Sequence, residues 1–134
     1  MSATPSSQYG QWHYFLLSIT PDPRLQKADD GLYEALDVDL LTWRSLIQHC
    51  LFALYGIVGE ARHFDILMRQ SSSPALDCIV RIQQEDEEMF LKCFANYSFA
   101  LNNYFGQKYD GVNARICVKN HSAFLGALPS IELV

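Results

Sequence analysis

Residues 41–69 read LTWRSLIQHCLFALYGIVGEARHFDILMR and change period midway, from apolar residues three and four apart to a short extended run. A helix that returns directly as a strand belongs to a small α/β unit, so this stretch decides the class of fold. At 100° per residue, Leu46, Ile47, Cys50 and Leu54 fall within about 60° of Trp43, and Arg44, Ser45, Gln48 and His49 take the other side. The spacing predicts one buried stripe on a helix that stops at Tyr55-Gly56, turns through Ile57-Val58-Gly59 and re-enters as a strand. Asp39 or Thr42 is placed to cap the start by accepting a free backbone N–H. Gly56 stands where a helix end favours positive φ, and Gly59 is expected to allow a bulge or tight turn. Leu41 and Phe52 point about 160–180° away from Trp43, either as stray surface hydrophobes or as a back face for a partner.

Working outward, Trp12 to Thr20 reads as a first strand, with Phe15, Leu17 and Ile19 on one face and Tyr14, Leu16 and Ser18 on the other. Residues 21–38 form a connection longer than most, expected to be functional or mobile, in which Leu32, Tyr33 and Leu36 supply an anchor or a short helical turn. Phe64 to Arg69 is the second strand, and Leu76 to Gln83 the third, with Leu76, Cys78, Val80 and Ile82 inward. A second helix opens at the acidic residues 85–88. It is expected to run to Phe105, since Cys93, Phe94, Tyr97, Leu101, Tyr104 and Phe105 all lie within about 60° of Phe90. Residues 112–119 make the fourth strand, with Val112, Ala114, Ile116 and Val118 inward, and residues 122–128 a last apolar turn.

The order β-α-β-β-α-β predicts an α+β, two-layer ferredoxin-like (RNA-recognition-motif-like) sandwich. Residues 1–10, small and polar, are expected to be disordered, and residues 11–134 to form a single domain. Both helices would cover one face of an antiparallel sheet. The opposite face would carry Tyr14, Leu16, Ser18, Ile79, Arg81, Arg115, Cys117 and Lys119.

Charge and motifs narrow the function. A net charge of −5 and a pI near 5.2 argue against a free-standing nucleic-acid binder. They leave open a subunit that meets nucleic acid through a more basic partner. No run of 18 apolar residues is present, and the N-terminus lacks the pattern of a signal peptide, so neither a membrane nor secretion is expected. Cys50, Cys78, Cys93 and Cys117 form no C-x-x-C pair and read as free thiols, with Cys117 the one to test for reactivity. His13, His49, His63 and His121 sit in no known catalytic motif, and Ser45 with His49 lacks an orienting carboxylate. The acidic run at 85–88 is explained by the helix start, so no catalytic residue, metal or cofactor is expected. The third strand, LDCIVRIQ, has no aromatic on which a base could stack. Arg81, Lys108, Arg115 and Lys119 remain candidates for phosphate contact. Leu41, Phe52, Tyr14, Leu16 and Ile79 are the candidate partner interface.

A family likeness rests on Trp12-His13-Tyr14-Phe15-Leu16-Leu17-Ser18-Ile19-Thr20, Leu41-Thr42-Trp43-Arg44 and Leu54-Tyr55-Gly56-Ile57-Val58-Gly59-Glu60, with Asp65-Ile66-Leu67 and Ser122-Ala123-Phe124-Leu125 behind them. Over residues 11–128 the chain resembles the small Pop/Rpp-type protein subunits of eukaryotic ribonuclease P and ribonuclease MRP, the Pop-five and Rpp-fourteen group, with fungal Pop-eight sequences nearest. The resemblance implies an RNA-recognition-motif-like fold and an architectural role in a ribonucleoprotein that cuts precursor tRNA at its 5′ side or processes rRNA precursors. The catalytic centre would be RNA with bound magnesium. The implied partners are a Pop-five-type paralogue, an Rpp-one-type barrel subunit and the ribonuclease P/MRP RNA, met directly or through another subunit. Membranes and small-molecule substrates have no part in it, and the implied location is the nucleus and nucleolus. The acidic charge departs from the more basic members and favours protein contacts over RNA contacts. Two other classes stand beside this one: a regulatory ligand-binding domain that forms a homodimer, and a small enzyme using Cys117 or a histidine.

Overall fold

The computed structural model describes residues 11–129, so the expectation for residues 1–10 lies outside the described residues. Strand β1 spans Trp12–Pro21; helices α1 (Pro23–Ala28), α2 (Asp30–Glu34) and α3 (Leu40–Glu60) follow. Strands β2 (Phe64–Arg69) and β3 (Asp77–Gln83) lead through a 3-10 turn, Gln84–Asp86, into α4 (Glu87–Ala95). Then come β4 (Ser98–Ala100), α5 (Asn102–Phe105), a 3-10 turn at Gln107–Tyr109, β5 (Asn113–Ser122) and a final 3-10 turn at Leu125–Ala127. The sheet order is β2-β3-β1-β5-β4, and every neighbouring pair is antiparallel. Without β4 this is the expected β-α-β-β-α-β sandwich.

The inner sheet face is the one the alternation selects. Phe15, Leu17 and Ile19 of β1, Cys78, Val80 and Ile82 of β3, and Ala114 and Ile116 of β5 are buried in one core. Trp43, Leu46, Ile47, Cys50 and Leu51 of α3 and Phe90, Cys93 and Phe94 of α4 close over them. Among the described residues, no helix is long and apolar enough to cross a membrane.

Helix α3 starts as expected and departs from expectation at its C-terminal end. Its start is capped by Asp39, whose Oδ1 accepts the Thr42 N–H at 2.8 Å, which drops the Asp39 pKa below its ordinary value. At the other end the chain does kink at Gly56, with φ 63° and ψ −147°, but it then makes another helical turn instead of entering a strand. Gly59 is inside that turn rather than at a bulge. A Cβ there would lie 2.7 Å from the Leu51 carbonyl oxygen and from Tyr55 Cβ, so its role is close packing. Burial in the first part of the helix ends at Leu51, leaving Leu54 half exposed instead of buried on the stripe.

The second helix is shorter than its stripe suggests. It ends at Ala95, where the Asn96 side-chain amide donates to the Lys92 carbonyl at 2.7 Å. Residues 98–100 are instead an edge strand pairing Ser98, Phe99 and Ala100 with Arg115, Ala114 and Asn113. The helical period fits the apolar residues, but Asn96, Tyr97, Ser98 and Phe99 are weak helix formers, and the outer edge of β5 offers backbone partners.

The connection at 21–38 is a packed part of the fold. Leu25, Leu36 and Val38 are buried, and the Tyr109 hydroxyl donates to the Leu32 carbonyl at 2.8 Å. Arg69 ties its end down by donating from Nη1 to Asp37 Oδ1 at 2.9 Å and to the Val38 carbonyl at 3.0 Å.

Candidate functional site

The outward side chains of α3 make the first surface. Leu41 is 73 % exposed and Phe52 50 %, as their helical angle predicts. Around the Gly56 kink, Leu54, Ile57 and Val58 are exposed as well. The sequence reading assigned these three to core and turn. The C-terminal end of α3 is therefore apolar on several sides at once, a composition suited to burial rather than to water.

The outer sheet face is less open than expected. Leu16 and Ile79 are buried, and Leu128 from the C-terminal segment covers them, with Tyr14, Leu67 and Met68 packed around. An apolar face and an apolar tail on one chain gain more by covering each other than by facing water. Of the five expected interface residues, Leu41 and Phe52 stand free on α3, Tyr14 is half buried, and Leu16 and Ile79 lie beneath the chain's own tail.

The four candidate cations do not form one patch. Arg81 on β3 donates to Asp65 Oδ2 from Nε at 3.2 Å and Nη2 at 2.8 Å, and its guanidinium lies 4.2 Å from the Trp12 ring centroid. Partial burial pushes the Asp65 carboxyl up, but hydrogen bonds from Arg81 and His63 outweigh it and hold the group below its ordinary value. Lys119 on β5 donates to Asp77 Oδ2 at 3.2 Å. Lys108 sits in the turn before β5, over the Tyr109 ring at 5.6 Å. Arg115 on β5 is exposed and, among the described residues, has no ion-pair partner. Two of the three cations on the sheet face are thus already answered by carboxylates, which limits the grip on phosphate.

Nothing here resembles a hydrolytic constellation among the described residues. His49 Nδ1 meets the Tyr104 hydroxyl at 2.5 Å, and His63 Nε2 meets Asp65 Oδ2 at 3.1 Å; neither aims at a nucleophile. Cys50, Cys78 and Cys93 are buried and Cys117 is exposed, all as free thiols. The bond with Cys93 and burial push the Cys50 thiol up, and burial does the same to Cys78. His13, His121 and Glu87 meet at one end of the sheet, an approach that the spacing of these residues does not predict.

Known proteins share this fold. The profile of the family described as "Ribonucleases P/MRP protein subunit Pop8" matches residues 11–97. The Saccharomyces cerevisiae ribonucleases P/MRP protein subunit POP8 is 27 % identical over 89 residues, which cover 66 % of this chain. The alignment spans 59 % of the yeast protein's length. A chain in the cryo-EM structure of yeast ribonuclease MRP superposes with a TM-score of 0.65 at 23 % identity, covering 91 % of this chain and 81 % of its own, and so shares the fold. The profile match takes in β1, the whole kinked α3, both strands of the following hairpin and α4, the same elements that build the core and the apolar end of α3. The chain belongs to the Pop8 family of ribonuclease P and ribonuclease MRP protein subunits.

Proposed function

We propose that the chain is a non-catalytic, architectural subunit of ribonuclease P and ribonuclease MRP, serving precursor-tRNA 5′ processing and rRNA processing in the nucleus and nucleolus. The observation that carries this reading is the apolar end of α3, where Phe52, Leu54, Ile57 and Val58 are exposed within seven residues. Such a helix end is costly in water and is stabilised by a partner surface. A Pop-five-type paralogue is the proposed occupant, with an Rpp-one-type barrel subunit as the second neighbour. RNA contact is secondary: Arg115 is the best-placed cation, and Arg81 and Lys119 would have to leave Asp65 and Asp77 to join it. A chain of net charge −5 gains little from lying against phosphates without a basic neighbour.

The test is purification of the tagged chain from its native cells at moderate salt, identifying the bound proteins and RNA. Recovery of ribonuclease P or MRP RNA with the other subunits is the expected result. Recovery of neither rejects the assignment. Phe52→Glu, at an exposed position, leaves the fold intact and reduces co-purification; unchanged recovery removes α3 as the interface.

A further inference from the structure

Three side chains far apart in sequence converge at one end of the sheet. His13 Nε2 lies 2.9 Å from His121 Nδ1, and Glu87 Oε2 lies 3.8 Å from each of these nitrogens. The carboxylate oxygen is too far from either ring for a good hydrogen bond. Two ligands of one tetrahedral zinc ion, at metal–nitrogen distances near 2.0–2.1 Å, stand about 3.3 Å apart. The observed separations fall on either side of that value.

The surroundings orient all three groups. His13 is 5 % exposed. Its Nδ1 faces Gln84 Oε1 at 3.1 Å, and the same amide donates from Nε2 to Glu87 Oε1 at 3.0 Å. Gln84 Oε1 is thus placed to accept the Nδ1–H of His13, the tautomer that turns the Nε2 lone pair toward His121 and Glu87, and Gln84 Nε2 holds one oxygen of Glu87 so that the other faces the histidines. Such outer hydrogen bonds to ligands are a regular feature of metal sites. The Phe15 ring packs against both imidazoles, at 5.2 Å from His13 and 5.5 Å from His121.

His121 arrives through a bulge. β5 pairs Val118 with Leu17 but Asn120 with Leu16, so Lys119 is an extra residue. The extra residue reverses the alternation and places His121 opposite Phe15, on the helix side of the sheet. Without it, His121 would share the outer face with Lys119 and Cys117.

We propose that His13, Glu87 and His121 bind one zinc ion, clamping β1, β5 and the first turn of α4 together. Two imidazoles and a carboxylate suit zinc, and three protein ligands leave a fourth position for water on the exposed His121 side. This inference is independent of the partner surface and runs against the expectation of no metal.

The test adds ZnCl2 alone to the full-length chain and measures affinity by competition with a chromophoric chelator, with CoCl2 as the spectroscopic probe. One ion per chain is expected, with ligand-field bands in the visible for cobalt and a raised melting temperature with zinc. His121→Ala, an exposed position, and Glu87→Gln abolish stoichiometric binding. Gln84→Ala weakens it about 10–100-fold, the usual effect of losing an outer hydrogen bond. Cys117→Ser, the exposed thiol, leaves it unchanged. Absence of one-to-one binding overturns the proposal, as does wild-type affinity in both His121→Ala and Glu87→Gln, or loss of binding in Cys117→Ser. The first of these results would leave His13 and His121 joined by a simple hydrogen bond.

Discussion

Two glycines carry separate duties only three residues apart. Gly56 takes φ 63° and ψ −147°, and a Cβ there meets no atom within 4 Å, so its demand is conformational. Gly59 has no such backbone requirement; its demand is space, because a Cβ would press to 2.7 Å on the Leu51 carbonyl oxygen. Alanine at either position is expected to destabilise the fold for different reasons. At Gly56 the cost is backbone strain of about 1–3 kcal/mol. At Gly59 it is overpacking of about 1–3 kcal/mol against backbone that cannot rotate away. Urea unfolding of the two single variants and the double variant checks this. D-Alanine, for which φ 63° and ψ −147° mirror the extended region open to L-residues, should recover the loss at 56 and none at 59. Equal recovery at both sites would refute the division of roles.

At the scale of elements, strands β1, β3 and β5 were legible because each keeps a period of two over at least six residues, and β2 from its short apolar run, although a register shift between Ile66 and Met68 breaks its alternation. The start of α3 was legible from Asp39 and the Trp43 stripe. The end of α4 was not, because the stripe from Phe90 to Phe105 stays in phase for a helix even though the chain leaves helical geometry at Asn96. Phe99 separates the two descriptions. In an unbroken helix it would point about 180° from Phe90, into water. In β4 it is 7 % exposed and meets Tyr104 edge-on at 5.5 Å. Phe99→Ala is therefore expected to cost about 3–5 kcal/mol in thermal or denaturant unfolding, the range for emptying a buried aromatic site. An unchanged midpoint would return residues 85–105 to a single helix. The tail over Leu16 and Ile79 was hidden for another reason: an apolar segment announces that it will be buried, not against what. The meeting of His13, Glu87 and His121 depends on a one-residue bulge in β5, which no spacing rule reveals.

For the whole molecule, the acidic charge is arranged rather than merely abundant. Hydrogen bonds from Arg24 hold the Asp22 carboxyl at about 2. The Thr42 backbone N–H lowers Asp39, and Arg81 with His63 lowers Asp65 against the opposing push of burial. An unfolded aspartate ionises near pH 4, so the unfolded chain binds protons first as the solution is acidified, and the stability from these three groups is lost as pH falls through their folded values. Asp86 works in the opposite sense. Burial raises it, with Arg62 at 3.6 Å opposing, so its protonation favours the folded state on acidification. Three lowered groups against one raised group predict a melting temperature that falls below about pH 4. Asp65 is the member that fastens two strands, since its partner Arg81 lies across the β2–β3 pair at the matching register position. Asp65→Asn should lower the melting temperature at neutral pH and shrink its drop between about pH 5 and pH 2, measured by circular dichroism across that range. An acid limb identical to that of the unmodified chain would show that the Arg81–Asp65 pair does not couple the sheet to its charge, and would release Arg81 as a cation available to phosphate.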